Sequence, residues 1–160
     1  MSHILFWRQT GENGYLSNWF DAPFSDEDTK YQNTEQYMMA KKAELFKDDV
    51  VLNKIMKSSN SRQIRDLGRT IKNFDQSTWD KNKEKIMIDG LLLKFSQNAD
   101  LGKLLLETGD KILVEASPFD KIWGTGCDAD TIVKNKYKWS GQNLLGKCLM
   151  IVRDEKLKKI

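Results

Sequence analysis

Only two prolines, Pro23 and Pro118, occur in the 160 residues, and both fall in segments that read as loops. Proline removes a backbone donor and breaks helix interiors, so the long stretches between these two positions are free to form uninterrupted elements. No internal repeat, low-complexity tract or Pro/Gly/Ser-rich linker divides the chain, which predicts one domain over 1–160. A chain of this length buries roughly two-thirds of the surface its unfolded form exposes. With 39% hydrophobic and 31% charged residues it has the composition of a globular protein that needs no metal or disulfide to close a core.

His3 to Trp7 predicts a short strand, and Gly11-Glu12-Asn13-Gly14 predicts a turn that returns it as a hairpin. Asn33 to Lys47 is the clearest helix: Asn33 caps the free amide of Gln36, Gln36 reaches back as in a capping box, and Tyr31 packs just ahead. A shorter helix spans Asn60 to Leu67, with Ser61 as cap and Gly68 as the left-handed residue that closes it. Ser77 and Asp80 open a long helix carrying Trp79, Ile86, Gly90 and Leu93 at helical spacing as far as Asn98. Leu101 to Glu107 is helical and closed by Gly109, and Lys111 to Ala116 is the best strand of the second half. Ser117 to Asp130 is an irregular loop around Pro118, Gly124 and Gly126, and Leu144 to Val152 is helical ahead of the basic Lys156 to Lys159. Strands and helices mix without βαβ alternation, so the expected class is α+β, compact and mainly helical with a few short strands.

Several kinds of chemistry lack their residues. Cys127 and Cys148 form no CxxC pair and stand near no histidine cluster, which predicts reduced thiols and no metal site. His3 is the only histidine, so a Ser-His-Asp or Cys-His-Asn triad has no supporting pattern. Neither GxGxxG nor GxxxxGK occurs, and no cofactor is expected. The net charge of +3 is too mild for a stripe that binds duplex DNA, although it suits a small anionic ligand. The N-terminal apolar run is too short for a signal peptide, and no stretch reaches the ~20 apolar residues of a membrane span. A cytoplasmic protein without membrane contact is expected.

At 100° per residue the helix from Thr34 places Glu35, Met38, Met39, Lys42, Leu45 and Phe46 in one sector, with Tyr37, Lys41 and Glu44 opposite. Glu35 and Lys42 thus share the core-facing stripe, two turns or ~10.5 Å apart, with Met38 and Met39 flooring the space between. Burial raises a carboxyl pKa and lowers a lysine pKa, which makes an acid/base of one and a nucleophilic amine of the other. The same pattern also suits side chains that snorkel to the rim or pair as structural ions.

The run Gly14-Tyr15-Leu16-Ser17-Asn18-Trp19-Phe20, followed by Thr34-Glu35-Gln36-Tyr37-Met38-Met39-Ala40-Lys41-Lys42-Ala43, resembles the YbiA-like family, also called NADAR. Further blocks follow in order: Leu67-Gly68-Arg69, Trp79, Lys94-Phe95-Ser96-Gln97-Asn98, Thr108-Gly109-Asp110, Leu113-Val114-Glu115-Ala116-Ser117, Asp120, Ile122-Trp123-Gly124 and Asn143-Leu144-Leu145-Gly146. Each word is weak alone; their number and order make the resemblance specific across nearly the whole chain.

The resemblance implies cleavage of a carbon–nitrogen bond at a ribose anomeric carbon. Two substrate classes go with it: ADP-ribose attached to guanine in a nucleoside or nucleic acid, and the phosphoribosylamino-pyrimidine intermediates of riboflavin synthesis. A third reading is a non-catalytic module that binds ADP-ribose or NAD. Glu35 matches the family's catalytic glutamate, and Lys42 matches the helix lysine thought to form a Schiff base with the sugar. Trp79, Asp120, Trp123 and Gly124 match positions lining the pocket, and Asn18, Arg69 and Glu115 complete the expected substrate-binding set. Each has a plainer alternative: Trp123 as a packing anchor, Asp120 as a cap for local amides, Arg69 as a surface charge. The chain departs from the family at Gln36 and Lys41, where histidine and glutamine are common; the wheel puts both off the stripe.

Overall fold

In a computed structural model that describes residues 2–159, the first strand finds its partner far away in sequence. Met1 and Ile160, the ends of the expected 1–160 domain, lie outside the described residues. Strand β1 (His3–Phe6) pairs in parallel with β4 (Ile112–Glu115), with Phe6 opposite Glu115. The hairpin expected from the glycine turn does not form. Gly14–Leu16 winds into a 3-10 turn whose Tyr15 and Leu16 are buried, so the apolar residues after the turn enter the core instead of a second strand.

A hairpin does form at β2 (Phe24–Asp26) and β3 (Thr29–Tyr31), turning through Glu27 at φ 54° without the usual Gly or Asn signal. It leads into α1 (Thr34–Leu45), where the Asn33 side chain accepts from the Gln36 amide at 3.0 Å as expected. Gln36 departs from a capping box. Its Oε1 accepts from the Gln32 amide at 2.8 Å, and its Nε2 donates to the carbonyls of Ile55 and Ser58. This ties α1 to α2 (Asp49–Lys57), a helix not expected from the sequence.

α3 (Ser61–Gly68) is capped by Asn60, one residue ahead of the expected Ser61, through its acceptance of the Gln63 amide at 2.9 Å. Gly68 ends this helix without a left-handed turn. Its reason for being glycine is packing, since an added Cβ would collide with the sulfur of Met39. α4 (Gln76–Gln97) likewise begins earlier than expected: Asp75 accepts from the Thr78 amide at 2.9 Å and does the capping in place of Ser77. Its buried stripe is Trp79, Lys83, Met87, Gly90, Leu91, Lys94 and Phe95, while Ile86 and Leu93 are only half-buried.

α5 (Ala99–Glu107) is followed by Gly109 at φ 64°, as expected of a closing glycine. After β4 the loop ends in α6 (Ala129–Lys134), capped by Asp128, so the irregular stretch is shorter than Ser117 to Asp130. α7 (Leu144–Ile151) continues through a π turn and a 3-10 turn to Lys159.

α1 sits at the centre, packed against α2, α3 and α4, while α7 packs on both β4 and α4. The architecture is the expected α+β type, mainly helical with four short strands among the described residues. One face of α1 corrects the helix wheel. Tyr37 is buried, its ring 5.1 Å from Tyr31 and 5.7 Å from Phe24, because the β2–β3 hairpin covers that side and Gly90 lets α4 approach closely. No described helix is long and apolar enough to cross a membrane.

Candidate active site

The first turn of α1 is held by Asn18. Its backbone carbonyl accepts the Glu35 amide at 3.2 Å, and its Oδ1 accepts the Thr34 hydroxyl at 2.9 Å. Those bonds fix Glu35 at the helix start with its side chain inside, 6% exposed. Burial lifts its carboxyl to about 7, against the lowering pull of the Trp19 side chain and of the Arg65 charge; Asp120 adds to the rise, and Lys42 counters it.

Lys42 lies on the same face and is half-buried. Its ammonium donates to the Gly68 carbonyl at 3.0 Å and stands 4.8 Å from the Phe74 ring centre and 5.3 Å from that of Trp79. Burial pushes its pKa down, Glu35 opposes that shift and Arg69 reinforces it. Met38 and Met39 are both buried, and Met39 packs against Gly68 beneath the lysine's anchor. The lysine is therefore housed by two aromatic rings in addition to the expected methionine floor.

The other half of the site comes from the end of β4 and the loop after it. The Glu115 amide donates to the Asn143 side chain at 2.9 Å, while Asn143 Nδ2 donates to the Leu113 carbonyl at 3.0 Å. Asn143, left-handed at φ 51°, thus locks β4 to the start of α7. The Glu115 carboxyl has one buried oxygen, Oε1, with no hydrogen-bond partner. Burial raises its pKa to about 8, and the Asp120 and Glu35 charges push the same way.

Asp120 accepts the amides of Ile122 and Trp123, both at 2.9 Å, so it caps the loop and also acts electrostatically on the two glutamates. At Gly124 a Cβ would stand 2.9 Å from the Asp120 carbonyl oxygen and 3.1 Å from that of Glu115, which explains why no side chain fits. Trp123 is half-buried against the main core, and its carbonyl accepts from Leu145 at 3.0 Å.

Glu35 therefore feels both Lys42 and Asp120, Glu115 feels Asp120 and Glu35, Asn18 positions Glu35, and Trp79 walls Lys42. Arg69 stands apart: its side chain is 71% exposed and its ion pair, with Asp66, is long at 3.8 Å. Only its charge reaches the site, at Lys42. Trp19, Arg65, Phe74 and Lys94 are partners not expected from the sequence. Lys94 is fully buried, and its ammonium donates to the carbonyls of Tyr15 at 2.7 Å and Ser17 at 3.1 Å, bracing the segment that carries Asn18 and Trp19. The spacing of Lys94 from Trp79 and Met87, on the inward stripe of α4, is the signal that could have found it.

Beside the site, a cleft of about 610 Å³ is lined by Trp19, Gln9, Asp21, Asn33, Asn60 and Arg62, among others. Among the described residues no three His, Cys, Asp or Glu side chains are grouped so as to hold a metal ion. The two cysteines are free, and burial pushes the Cys148 thiol up to about 12.

Residues 5–157 match the NADAR domain. An N-glycosidase of Acanthamoeba polyphaga mimivirus is 50% identical over 146 residues, which span 88% of this chain and 86% of that one. A riboflavin biosynthesis protein of Vibrio vulnificus is 30% identical over 152 residues, 95% of this chain but 38% of its own length. The NMR structure of the E. coli protein YbiA superposes with a TM-score of 0.81 at 27% identity, covering 99% of this chain and 86% of that chain.

Proposed function

The chain belongs to the NADAR family and is an N-glycosidase, and from that premise we propose that it removes ADP-ribose from guanine, using Glu35 and Lys42. The observation that carries this reading is the company Lys42 keeps. Among the described residues its ammonium contacts a carbonyl and two aromatic rings rather than a carboxylate, and burial favours its neutral, nucleophilic form. Glu35 shares its helix face and sits where a carboxyl can take up or release a proton near neutrality.

The reaction follows from those groups. A proton taken up from solvent by the ring oxygen opens the ribose as a hydroxyl and leaves an iminium between the anomeric carbon and the base nitrogen. The Lys42 amine adds to that carbon, and the carbon–nitrogen bond to the base breaks. The base departs as an amine, taking a proton from a carboxylic acid. Glu115 suits that donor role because burial keeps it protonated at neutral pH. Water, deprotonated by Glu35, then hydrolyses the lysine imine and frees the sugar aldehyde, which recloses; the net change is addition of one water. Trp123 and Trp79 offer aromatic surface to the base and sugar, and Asn18, Asp120 and Gly124 shape the wall. Arg69, exposed at the rim, is free to meet the diphosphate.

A second reading is hydrolysis of a phosphoribosylamino-pyrimidine, favoured by the likeness to the Vibrio riboflavin biosynthesis protein. The deciding experiment is side-by-side turnover of ADP-ribosylated guanosine and a phosphoribosylamino-pyrimidine, with Glu35→Ala as control and cyanoborohydride trapping read by mass spectrometry. Turnover of the guanosine adduct with a sugar adduct on Lys42 is expected. Binding of ADP-ribose without turnover would instead mark a non-catalytic module.

A further inference from the structure

The parallel pair of β1 and β4 ends at Phe6 and Glu115, and the Ala116 amide still donates to the Phe6 carbonyl at 2.7 Å. Both chains therefore leave the sheet at the same end, beside the Glu115 carboxyl. On one, Trp7 and Arg8 come next; on the other, Phe119 comes immediately before Asp120. The Trp7 and Phe119 rings lie 6.1 Å apart, tilted by 56°, and the Arg8 guanidinium stands 4.3 Å over the Trp7 ring. Phe119 is 85% exposed. Burying such a ring ordinarily stabilises a fold, and the fold forgoes nearly all of that here. One residue further along, Gln9 lines the cleft that also contains Trp19, a neighbour of the Glu35 carboxyl.

We propose that Trp7, Arg8 and Phe119 form a stacking platform for an unpaired nucleobase next to the modified guanine, so that the enzyme accepts its adduct within single-stranded nucleic acid. The proposal rests on the guanine reading of the site. Two tilted rings with a cation over one of them suit a base and its phosphate, because every base has a π face and the guanidinium pairs with the strand's charge. A duplex offers no free base face at this point. The mild net charge of +3 leaves stacking, not phosphate attraction, as the main source of affinity. The patch is two rings wide, far less than the ~800 Å² per partner that a stable protein interface buries.

The test is fluorescence anisotropy of a labelled, unmodified single-stranded oligonucleotide of mixed sequence, paired with kinetics on two guanine adducts, one a nucleoside and one within that strand. Phe119→Ser is expected to weaken oligonucleotide binding about tenfold, with Phe119→Trp restoring it. Arg8→Gln is expected to reduce the slope of log Kd against log salt by about 0.7. On the adducts, kcat/KM of Phe119→Ser should fall about tenfold for the strand relative to the nucleoside. The platform is overturned if Phe119→Ser binds the oligonucleotide as tightly as the unchanged protein, or if a duplex of the same sequence competes equally. Dimerisation abolished by Phe119→Ser would overturn it too, by giving the ring to a second copy. If neither adduct is turned over while binding still depends on Phe119, the guanine reading falls and the platform stands.

Discussion

The ammonium of Lys94 lies 2.7 Å from the carbonyl oxygen of Tyr15, in a fully buried position that, among the described residues, gives it carbonyl partners and no carboxylate. Burial lowers its pKa to about 7 from 10.5. Between those values the unfolded chain binds more protons than the folded one, so this group makes stability rise with pH from about 7 toward 10.5.

Removing the amine should remove that rise. In urea unfolding at pH 7 and pH 9, the gain on raising the pH should be smaller in Lys94→Met than in the unchanged protein. The variant should also lose activity, because the segment carrying Asn18 and Trp19 loses its brace. An identical pH gain in both proteins would mean that Lys94 carries no strained proton.

Glu115 has the opposite sign. Its pKa is about 8 in the fold against 4.5 ordinarily, so its contribution is fully present below pH 4.5 and is lost as pH rises through 8. Glu115→Gln imitates the protonated acid at every pH. The variant's stability relative to the unchanged protein should therefore grow between pH 5 and pH 9, by on the order of 4 kcal/mol, while its kcat should fall if Glu115 is the proton donor. Denaturant midpoints at the two pH values measure the first effect and steady-state kinetics the second.

The pH dependence of the reaction follows from the same two carboxyls. If Glu35 acts as carboxylate, activity rises as pH passes about 7, and if Glu115 acts as acid, it falls as pH passes about 8. Because the two groups influence each other, the limbs belong to the pair. Glu35→Gln should reduce kcat by about 100-fold or more and abolish the acid limb. A variant that keeps both its rate and its acid limb removes Glu35 from the chemistry.

How far such a site can be read from sequence depends on whether its geometry is local. Glu35 and Lys42 are seven residues apart on one helix, so helical spacing alone places them on a common face. Tyr37 shows the limit: the wheel puts it outside, yet a hairpin from one segment and Gly90 from another cover it. Lys94 is harder still, since a lysine in the last turn of a helix ordinarily reads as a solvated charge. Its burial depends on two carbonyls far back in the chain. The pairing of β1 with β4 is likewise non-local, and the turn at Gly11 to Gly14 points to a nearer partner that the buried Tyr15 and Leu16 do not permit.

Gly124 offers a test of how tightly the second half of the site is built. A Cβ there would lie 2.9 Å from the Asp120 carbonyl oxygen, 3.1 Å from that of Glu115 and 3.0 Å from the Ser117 side chain. Two of the three neighbours are backbone and cannot swing aside, so Gly124→Ala must displace the Asp120 turn or the end of β4. Overpacking of this kind costs about 1–3 kcal/mol. The larger effect should be on kcat, since both displaced segments carry carboxyls of the site. Gly109→Ala is the matched control: its φ of 64° imposes backbone strain, but no atom lies within 4 Å of the new methyl. It should lower stability by about 1 kcal/mol and leave kcat alone. Equal kcat losses in the two variants would show that general destabilisation, and not the position of Asp120 and Glu115, governs the rate.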